Sequence, residues 1–83
     1  MIPLIDRLKT ILANALGVAE DAITDESTME SIGADSLDLV ELSFDISDEF
    51  IADVDDSEIQ LSMTVSELAA LIESKQHDKT STP

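Results

Sequence analysis

A serine directly after one acidic residue and two positions before another is the position of this 83-residue chain best suited to chemistry. Ser36 lies in the run Gly33-Ala34-Asp35-Ser36-Leu37-Asp38, where a stretch of loop-forming residues meets an acidic amphipathic stretch. A serine hydroxyl can act as a nucleophile when a neighbouring group activates it. In the purely structural interpretation, Asp35 or Ser36 caps a helix, and Asp35 and Asp38 interact favourably with the positive end of its dipole.

The residues needed for a serine hydrolase are missing from the surroundings of Ser36 in the sequence. Such an enzyme requires a base within hydrogen-bond reach of the hydroxyl. The single histidine, His77, lies in a polar tail beyond the last predicted helix, and chain ends are commonly frayed. The chain also lacks Cys, Trp and Tyr. This composition indicates that the protein is a target of enzymes rather than an enzyme itself.

A second candidate site, a calcium-binding loop, would begin at Asp53. A loop of that kind requires Gly at its sixth position and Glu at its twelfth. Those positions hold Glu58 and Thr64. We therefore predict no specific metal site.

The charge of the chain excludes two classes of partner. It has 19 Asp and Glu against 4 Lys and Arg, a net charge of −15, and no basic residue between Lys9 and Lys75. Nucleic acids and anionic membranes would be repelled, whereas basic protein surfaces would be attracted. The predicted partners are therefore proteins with basic docking patches, and neither nucleic acid nor membrane is expected.

Length and composition predict one small folded domain. The 43% of apolar residues argues against a disordered chain. No apolar run approaches the roughly 20 residues needed to span a bilayer, and the N-terminus does not resemble a secretory signal. The absence of Cys is compatible with a cytoplasmic protein, and we expect a monomer there.

Hydrophobic periodicity predicts a small all-α four-helix bundle, with three main helices, one short helix and a long first loop. The predicted main helices cover 3–16, 36–50 and 64–76, and the weak short one lies within 55–61. The first should begin near Pro3 and end at Gly17, and the last should begin with a capping box formed by Thr64 and Glu67. Residues 18–34 should form a folded loop held against the core. The domain is predicted to cover 1–76, followed by a disordered polar tail over 77–83.

The helix over 36–50 is predicted to be central. At about 100° per residue, two apolar stripes form along it. The first stripe contains Leu39, Leu42, Ile46 and Phe50, and the second contains Leu37, Val40, Phe44 and Ile51. Neighbours on two sides should therefore contact it. Acidic residues occupy the remaining arc, and they are more plausible as a docking face than as a contribution to folding, because like charges three or four residues apart repel.

The run from Gly33 to Asp38, followed by Leu39-Val40-Glu41-Leu42, resembles the signature of acyl carrier proteins. The resemblance extends over roughly residues 3–75, through Leu16-Gly17-Val18, Asp48-Glu49-Phe50 and the final helix that begins at Thr64-Val65. It implies a carrier rather than an enzyme, with 4′-phosphopantetheine attached to Ser36 through a phosphodiester. A phosphopantetheinyl transferase would transfer this group from coenzyme A, and its thiol would then hold acyl groups as thioesters.

The resemblance also implies a docking face for partner enzymes beside that serine. Its residues would be Asp35, Leu37, Asp38, Glu41, Phe44, Asp45 and Asp48. Acyl-processing enzymes of fatty-acid or related biosynthesis would approach this face with basic patches.

Two alternatives remain open from the sequence. One is an acidic interaction adaptor without a prosthetic group, for which Ser36 would have no use beyond capping. The other is a specialised aminoacyl or polyketide carrier. Asp55 stands where the family often has proline, and Ser62 stands where an apolar residue is common. The amino-acid sequence of 43–47 is also not the commonest one for the second helix of the family. These departures leave the pathway open.

Overall fold

Three α-helices joined by two long ordered segments make up the fold. The computed structural model describes the backbone of residues 3–81 and the side chains of residues 3–76. The helices are α1 (Leu4–Leu16), α2 (Ser36–Phe50) and α3 (Val65–Ser81), and single 3₁₀ turns lie at Glu20–Ala22, Glu30–Ile32 and Asp56–Glu58. Within 3–81 there is no strand, only an isolated bridge between Thr28 and Thr64. The predicted all-α bundle is confirmed, and its short fourth helix is a single 3₁₀ turn.

Helix α1 begins after a proline, whose backbone is restricted, and ends at a glycine, whose backbone is permissive. Pro3 is the N-cap, one position earlier than the helical position predicted for it. Gly17 adopts the left-handed conformation, with φ 70° and ψ 31°, and its N–H donates to the Ala13 carbonyl at 2.9 Å. Glycine adopts this conformation without a steric penalty, so the helix ends where the sequence predicts.

The long first loop is fastened to the segment that leads into α3. Its apolar residues Ile23, Met29 and Ile32 are buried in the core. Four backbone hydrogen bonds of 2.8–3.1 Å cross between the two segments: Met29 N–H to Met63 O, Glu30 N–H to Leu61 O, Val65 N–H to Ser27 O and Ser66 N–H to Asp25 O. This confirms a folded loop, because the buried side chains and the paired backbone both hold it in place.

The two apolar stripes of α2 have different environments. The first stripe is buried against α1 and α3, as predicted. The second stripe is exposed, with Leu37 76%, Phe44 69%, Ile51 74% and Val40 37% accessible. Helix α2 does contact two other helices, as predicted, but the burial of both stripes that this prediction implies is wrong. Periodicity identifies residues that share a face, but three helices provide neighbours for only one face of α2.

The end of α2 is conformationally unusual. Ile51 is its C-cap, with φ 52° and ψ 56°, and its N–H donates to the Ser47 carbonyl. It is the one residue other than glycine with positive φ in the described part of the chain. For a β-branched residue this conformation is a genuine outlier, and the cost is roughly 1–2 kcal/mol.

The connector after α2 is held by side-chain hydrogen bonds to the backbone. The Ser47 hydroxyl donates to the Val54 carbonyl and accepts from the Val54 N–H, both at 3.2 Å. Asp55 and Glu58 form a reciprocal capping box around the 3₁₀ turn, and Glu58 pairs with Lys75 of α3 at 2.8 Å. The hydrogen bond from Lys75 lowers the pKa of the Glu58 carboxyl, and hydrogen bonds from Ser57 lower the pKa of the Asp55 carboxyl.

Replacing Glu58 with glutamine should reveal the contribution of the Lys75 ion pair. Glutamine retains an acceptor for the Asp55 N–H but has no charge. Because the folded pKa of Glu58 lies below its ordinary 4.5, the pair stabilises the fold above that pH and loses this contribution as the pH falls through the folded pKa. E58Q should therefore lower Tm slightly at neutral pH, and the two Tm values should converge as the pH is lowered from 4.5. A Tm difference that stays constant in thermal unfolding across this range would contradict the prediction.

Helix α3 closes the bundle. The predicted capping box is confirmed: the Thr64 N–H donates to Glu67 Oε1 at 2.9 Å, and the Glu67 N–H donates to Thr64 Oγ1 at 3.0 Å. Its predicted inward face, Val65, Leu68, Ala69 and Ile72, is buried. The backbone continues as helix to Ser81, beyond the predicted end at Gln76. The side chains from His77 onward lie outside the described residues, so the division into a domain over 1–76 and a polar tail over 77–83 stays a prediction.

Candidate functional site

Ser36 occupies the first position of α2, and the chain before it is closely held. Gly33, with φ 98°, ends the turn at Glu30–Ile32, and the Ala34 N–H then donates to the Met29 carbonyl at 3.0 Å. Asp35 is the N-cap, with extended φ and ψ. The turn, the buried Ala34 and the cap together place Ser36 at the exposed beginning of a rigid 15-residue helix.

Asp35 and not Ser36 caps the helix. The Asp38 N–H donates to Asp35 Oδ1 at 3.0 Å, and the Asp35 N–H donates to Asp38 Oδ2 at 3.1 Å. The two carboxylates therefore form a capping box around the serine, which leaves the N–H groups of Ser36 and Leu37 without a side-chain cap.

The hydroxyl of Ser36 is exposed, and among the described residues no side chain or backbone group hydrogen-bonds to it. No histidine lies among the described side chains, since His77 falls outside them. No base among the described residues is therefore hydrogen-bonded to the hydroxyl to activate it. The hydroxyl is free to accept a group that another protein delivers.

The predicted docking face lies on α2 and its cap. Leu37, Glu41, Phe44 and Asp48 follow one line along the helix, because their spacing of four, three and four residues brings them to nearly the same angle. Asp38 and Asp45 lie together on one side of this line. Asp38 is half-buried, and the other residues of the face, Asp35 included, are exposed. Six of the seven predicted residues thus share an arc of about 120° on α2, and Asp35 is the cap that precedes Ser36.

No basic residue of the described chain neutralises this face. Arg7 pairs with Glu49 at 2.8 Å, Lys9 pairs with Asp25 at 2.7 Å, and Lys75 pairs with Glu58. Each of these acids lies outside the docking face. Its carboxylates therefore remain available to cations of a partner, and their field is not cancelled from within the described residues.

Two further apolar residues, Val40 and Ile51, are exposed and are not among the seven predicted residues. Both belong to the second stripe of α2, for which neighbours were expected. Hydrophobic periodicity could not predict their exposure, since a covered and an uncovered stripe have the same spacing.

The described residues show no sign of a metal or membrane site. Over the described part of the chain, no three His, Cys, Asp or Glu side chains are grouped so that they could hold a metal ion. None of the described helices is both long enough and apolar enough to span a membrane.

Replacing Asp35 tests the capping box directly. Asp35→Ala should destabilise the fold by about 1 kcal/mol, because the Asp38 N–H loses its acceptor. Asp35→Asn keeps an acceptor and should cost only a few tenths of a kcal/mol. Urea unfolding gives both values, and equal losses in the two variants would show that the lost charge rather than the cap is responsible.

Comparison with known proteins places most of the chain in one family. The family model described as "Phosphopantetheine attachment site" matches residues 6–72, a range that includes Ser36. The chain is 40% identical to "Acyl carrier protein" of Thermotoga maritima over 70 residues, which cover 83% of this chain and 86% of that protein.

Two further relatives show how widely this kind of domain is used. "Acyl carrier protein 2, chloroplastic" of Spinacia oleracea is 36% identical over 77 residues, which cover 92% of this chain and 59% of that protein. "Non-reducing polyketide synthase atr1" of Stereocaulon alpinum is 38% identical over 66 residues, which cover 80% of this chain but 3% of that much longer protein.

The surroundings of Ser36 fit an attached phosphopantetheine. The Ser36 side chain is exposed and no described group hydrogen-bonds to its hydroxyl, and a helix N-terminus favours a phosphate group. The capping carboxylates of Asp35 and Asp38 oppose additional negative charge there. A partner that delivers the group must therefore supply positive charge of its own.

Proposed function

This chain belongs to the acyl carrier protein family, and we propose that Ser36 is the residue to which its phosphopantetheine arm is attached. Members of this family are carriers rather than enzymes, and phosphopantetheine is the group they hold. The observation that carries the choice of residue is the free, exposed hydroxyl of Ser36 at the first position of α2, within the Asp35-Ser36-Leu37 motif.

Attachment would be a phosphoryl transfer from coenzyme A. A bond forms between Ser36 Oγ and the phosphorus that bears the pantetheine arm, and the bond from that phosphorus to the bridging oxygen of the diphosphate breaks. Adenosine 3′,5′-bisphosphate leaves with the electron pair. The serine proton passes to a base of the phosphopantetheinyl transferase, since no described group of this chain hydrogen-bonds to the hydroxyl. When bound, the arm supplies a terminal thiol for thioester formation, which this cysteine-free chain lacks.

Partner enzymes would dock on α2 to reach the arm. The proposed contacts are the seven residues of the docking face, with Leu37 and Phe44 as exposed apolar contacts and the carboxylates around them. A basic surface is the matching partner, because the described chain leaves these carboxylates without cations.

The proposed pathway is fatty-acid or related acyl biosynthesis. The names of the Thermotoga maritima and Spinacia oleracea proteins support acyl carriage, and the name of the Stereocaulon alpinum protein supports polyketide carriage as the second candidate. We also propose a monomer, because the net charge of −15 disfavours self-association. The cytoplasm is the proposed compartment, with which a chain free of cysteine is compatible.

The test of this function is the intact mass of the full chain before and after incubation with coenzyme A and a broad-specificity phosphopantetheinyl transferase. We expect one phosphopantetheine per chain, and peptide mapping should place it on Ser36. An unchanged mass would overturn the attachment and favour the acidic adaptor without a prosthetic group.

A further inference from the structure

Exposed apolar side chains are concentrated on one helix of this protein. In the described part of the chain, the large hydrophobic residues that are exposed are Leu37, Val40, Phe44 and Ile51. All four lie on α2 or its C-cap, and their spacing of three, four and seven residues forms one stripe. From Leu37 to Ile51 the stripe extends about 21 Å, at 1.5 Å per residue. Such a distribution points to a surface that contacts something.

Ile51 is the residue of this stripe whose presence the fold explains least. Two further positions with positive φ in the described chain, Gly17 and Gly33, hold the residue that adopts it without strain. At Ile51 the same kind of conformation carries a β-branched side chain, which is 74% exposed. Packing within the domain therefore does little to offset the strain. Strained residues persist where the surrounding structure imposes them, and they cluster at functional sites.

Resting on the proposed function, we propose that Ile51 is the distal contact of the partner-docking surface, at the opposite end of α2 from Ser36. The occupant is an enzyme that acts on Ser36 or its arm. On this enzyme, an apolar patch flanked by basic residues lies about 20 Å from the point where the serine enters. Ile51 would thus extend the docking surface from the first part of α2 to its full length.

The acidic residues beside the stripe favour an enzyme with a basic surface over a second copy of the chain or an anionic membrane. Glu41, Asp45 and Asp48 lie beside the stripe, and none of them pairs with a described basic residue. A second copy of the chain would bring the same carboxylates against them, and an anionic membrane would also repel them. A basic protein surface complements both the apolar stripe and its acidic border.

The test uses the full chain as substrate for a broad-specificity phosphopantetheinyl transferase with coenzyme A, and measures KM, kcat and Tm. Ile51→Asn removes the apolar side chain and tolerates positive φ, so Tm should rise. The KM for this chain should increase roughly three- to tenfold, as for a lost apolar contact, with kcat unchanged. Because the contact is apolar, the ratio of KM values should persist at high salt.

Ile51→Leu is the matched control, since it keeps an apolar side chain at the same position. Its KM should stay within about twofold of the wild-type value. An unchanged KM in Ile51→Asn, or an equal increase in both variants, would overturn the proposal. These outcomes are separate from the proposed function, because loading of the wild-type chain tests the attachment at Ser36 and the ratio of KM values tests Ile51.

Discussion

Replacing Ser36 with alanine is expected to abolish attachment of phosphopantetheine and leave the fold intact. In the proposed attachment the hydroxyl would supply the oxygen of the phosphodiester, so its removal would leave no acceptor at the start of α2. The same hydroxyl has no hydrogen-bond partner among the described residues, and the capping box is formed by Asp35 and Asp38. The free energy of unfolding should therefore change by no more than about 0.5 kcal/mol, as for exposed positions without a structural role.

Intact mass spectrometry after incubation with coenzyme A and the transferase measures the loss of loading, and urea unfolding measures the stability. Ser66→Ala is the matched control, because Ser66 is also an exposed serine in the first turn of a helix. This control should load as the wild type does. Loading of the Ser36→Ala variant would move the attachment to another residue, and a large loss of stability would show that Ser36 has a structural role that the hydrogen bonds do not reveal.

Neutralising the acidic docking face should weaken recognition by the transferase strongly at low salt. In a variant with Glu41→Gln, Asp45→Asn and Asp48→Asn, kcat/KM should fall about tenfold to a hundredfold. Electrostatic steering by a surface of one sign has effects of this size, and ions screen it. The difference from the wild type should therefore shrink as the ionic strength is raised. Kinetics measured over a series of salt concentrations check both statements.

A matched variant separates the docking face from net charge. Asp21→Asn, Glu26→Gln and Glu73→Gln also remove three negative charges, at exposed positions outside that face. This control should keep most of the wild-type kcat/KM. Equal losses of kcat/KM in the two variants would leave net charge as the sole cause.

The docking-face variant should also be at least as stable as the wild type. Asp45 lies four residues from Glu41 and three from Asp48, and like charges at these spacings repel.

Much of the fold could be predicted because local chemistry decides it. Gly17 ends α1 through a backbone conformation that other residues rarely adopt, and Thr64 with Glu67 forms a cap from side chains three residues apart. The buried stripe of α2 followed from helical period, since one face of any bundle helix must be covered.

What could not be predicted depends on neighbours distant in sequence. The exposure of Leu37, Phe44 and Ile51 reflects how many helices are present to cover α2, and periodicity contains no such count. The site shows the same limit. Asp35 and Ser36 are both good capping residues, so only the structure decides that Asp35 forms the cap and leaves the hydroxyl of Ser36 free.

The bonds between the first loop and the entry to α3 make these two segments one mechanical unit. The Met29 residue accepts from Ala34, next to the cap of α2, and donates to Met63 on the other side. Because these bonds couple the two segments, a local opening that exposes Met29 should displace the loop and the first turn of α3 together. The boundary of this unit therefore lies at Ala34, two residues before Ser36. An opening there would give a chain tethered to that serine a short path to the core, without any unwinding of α2.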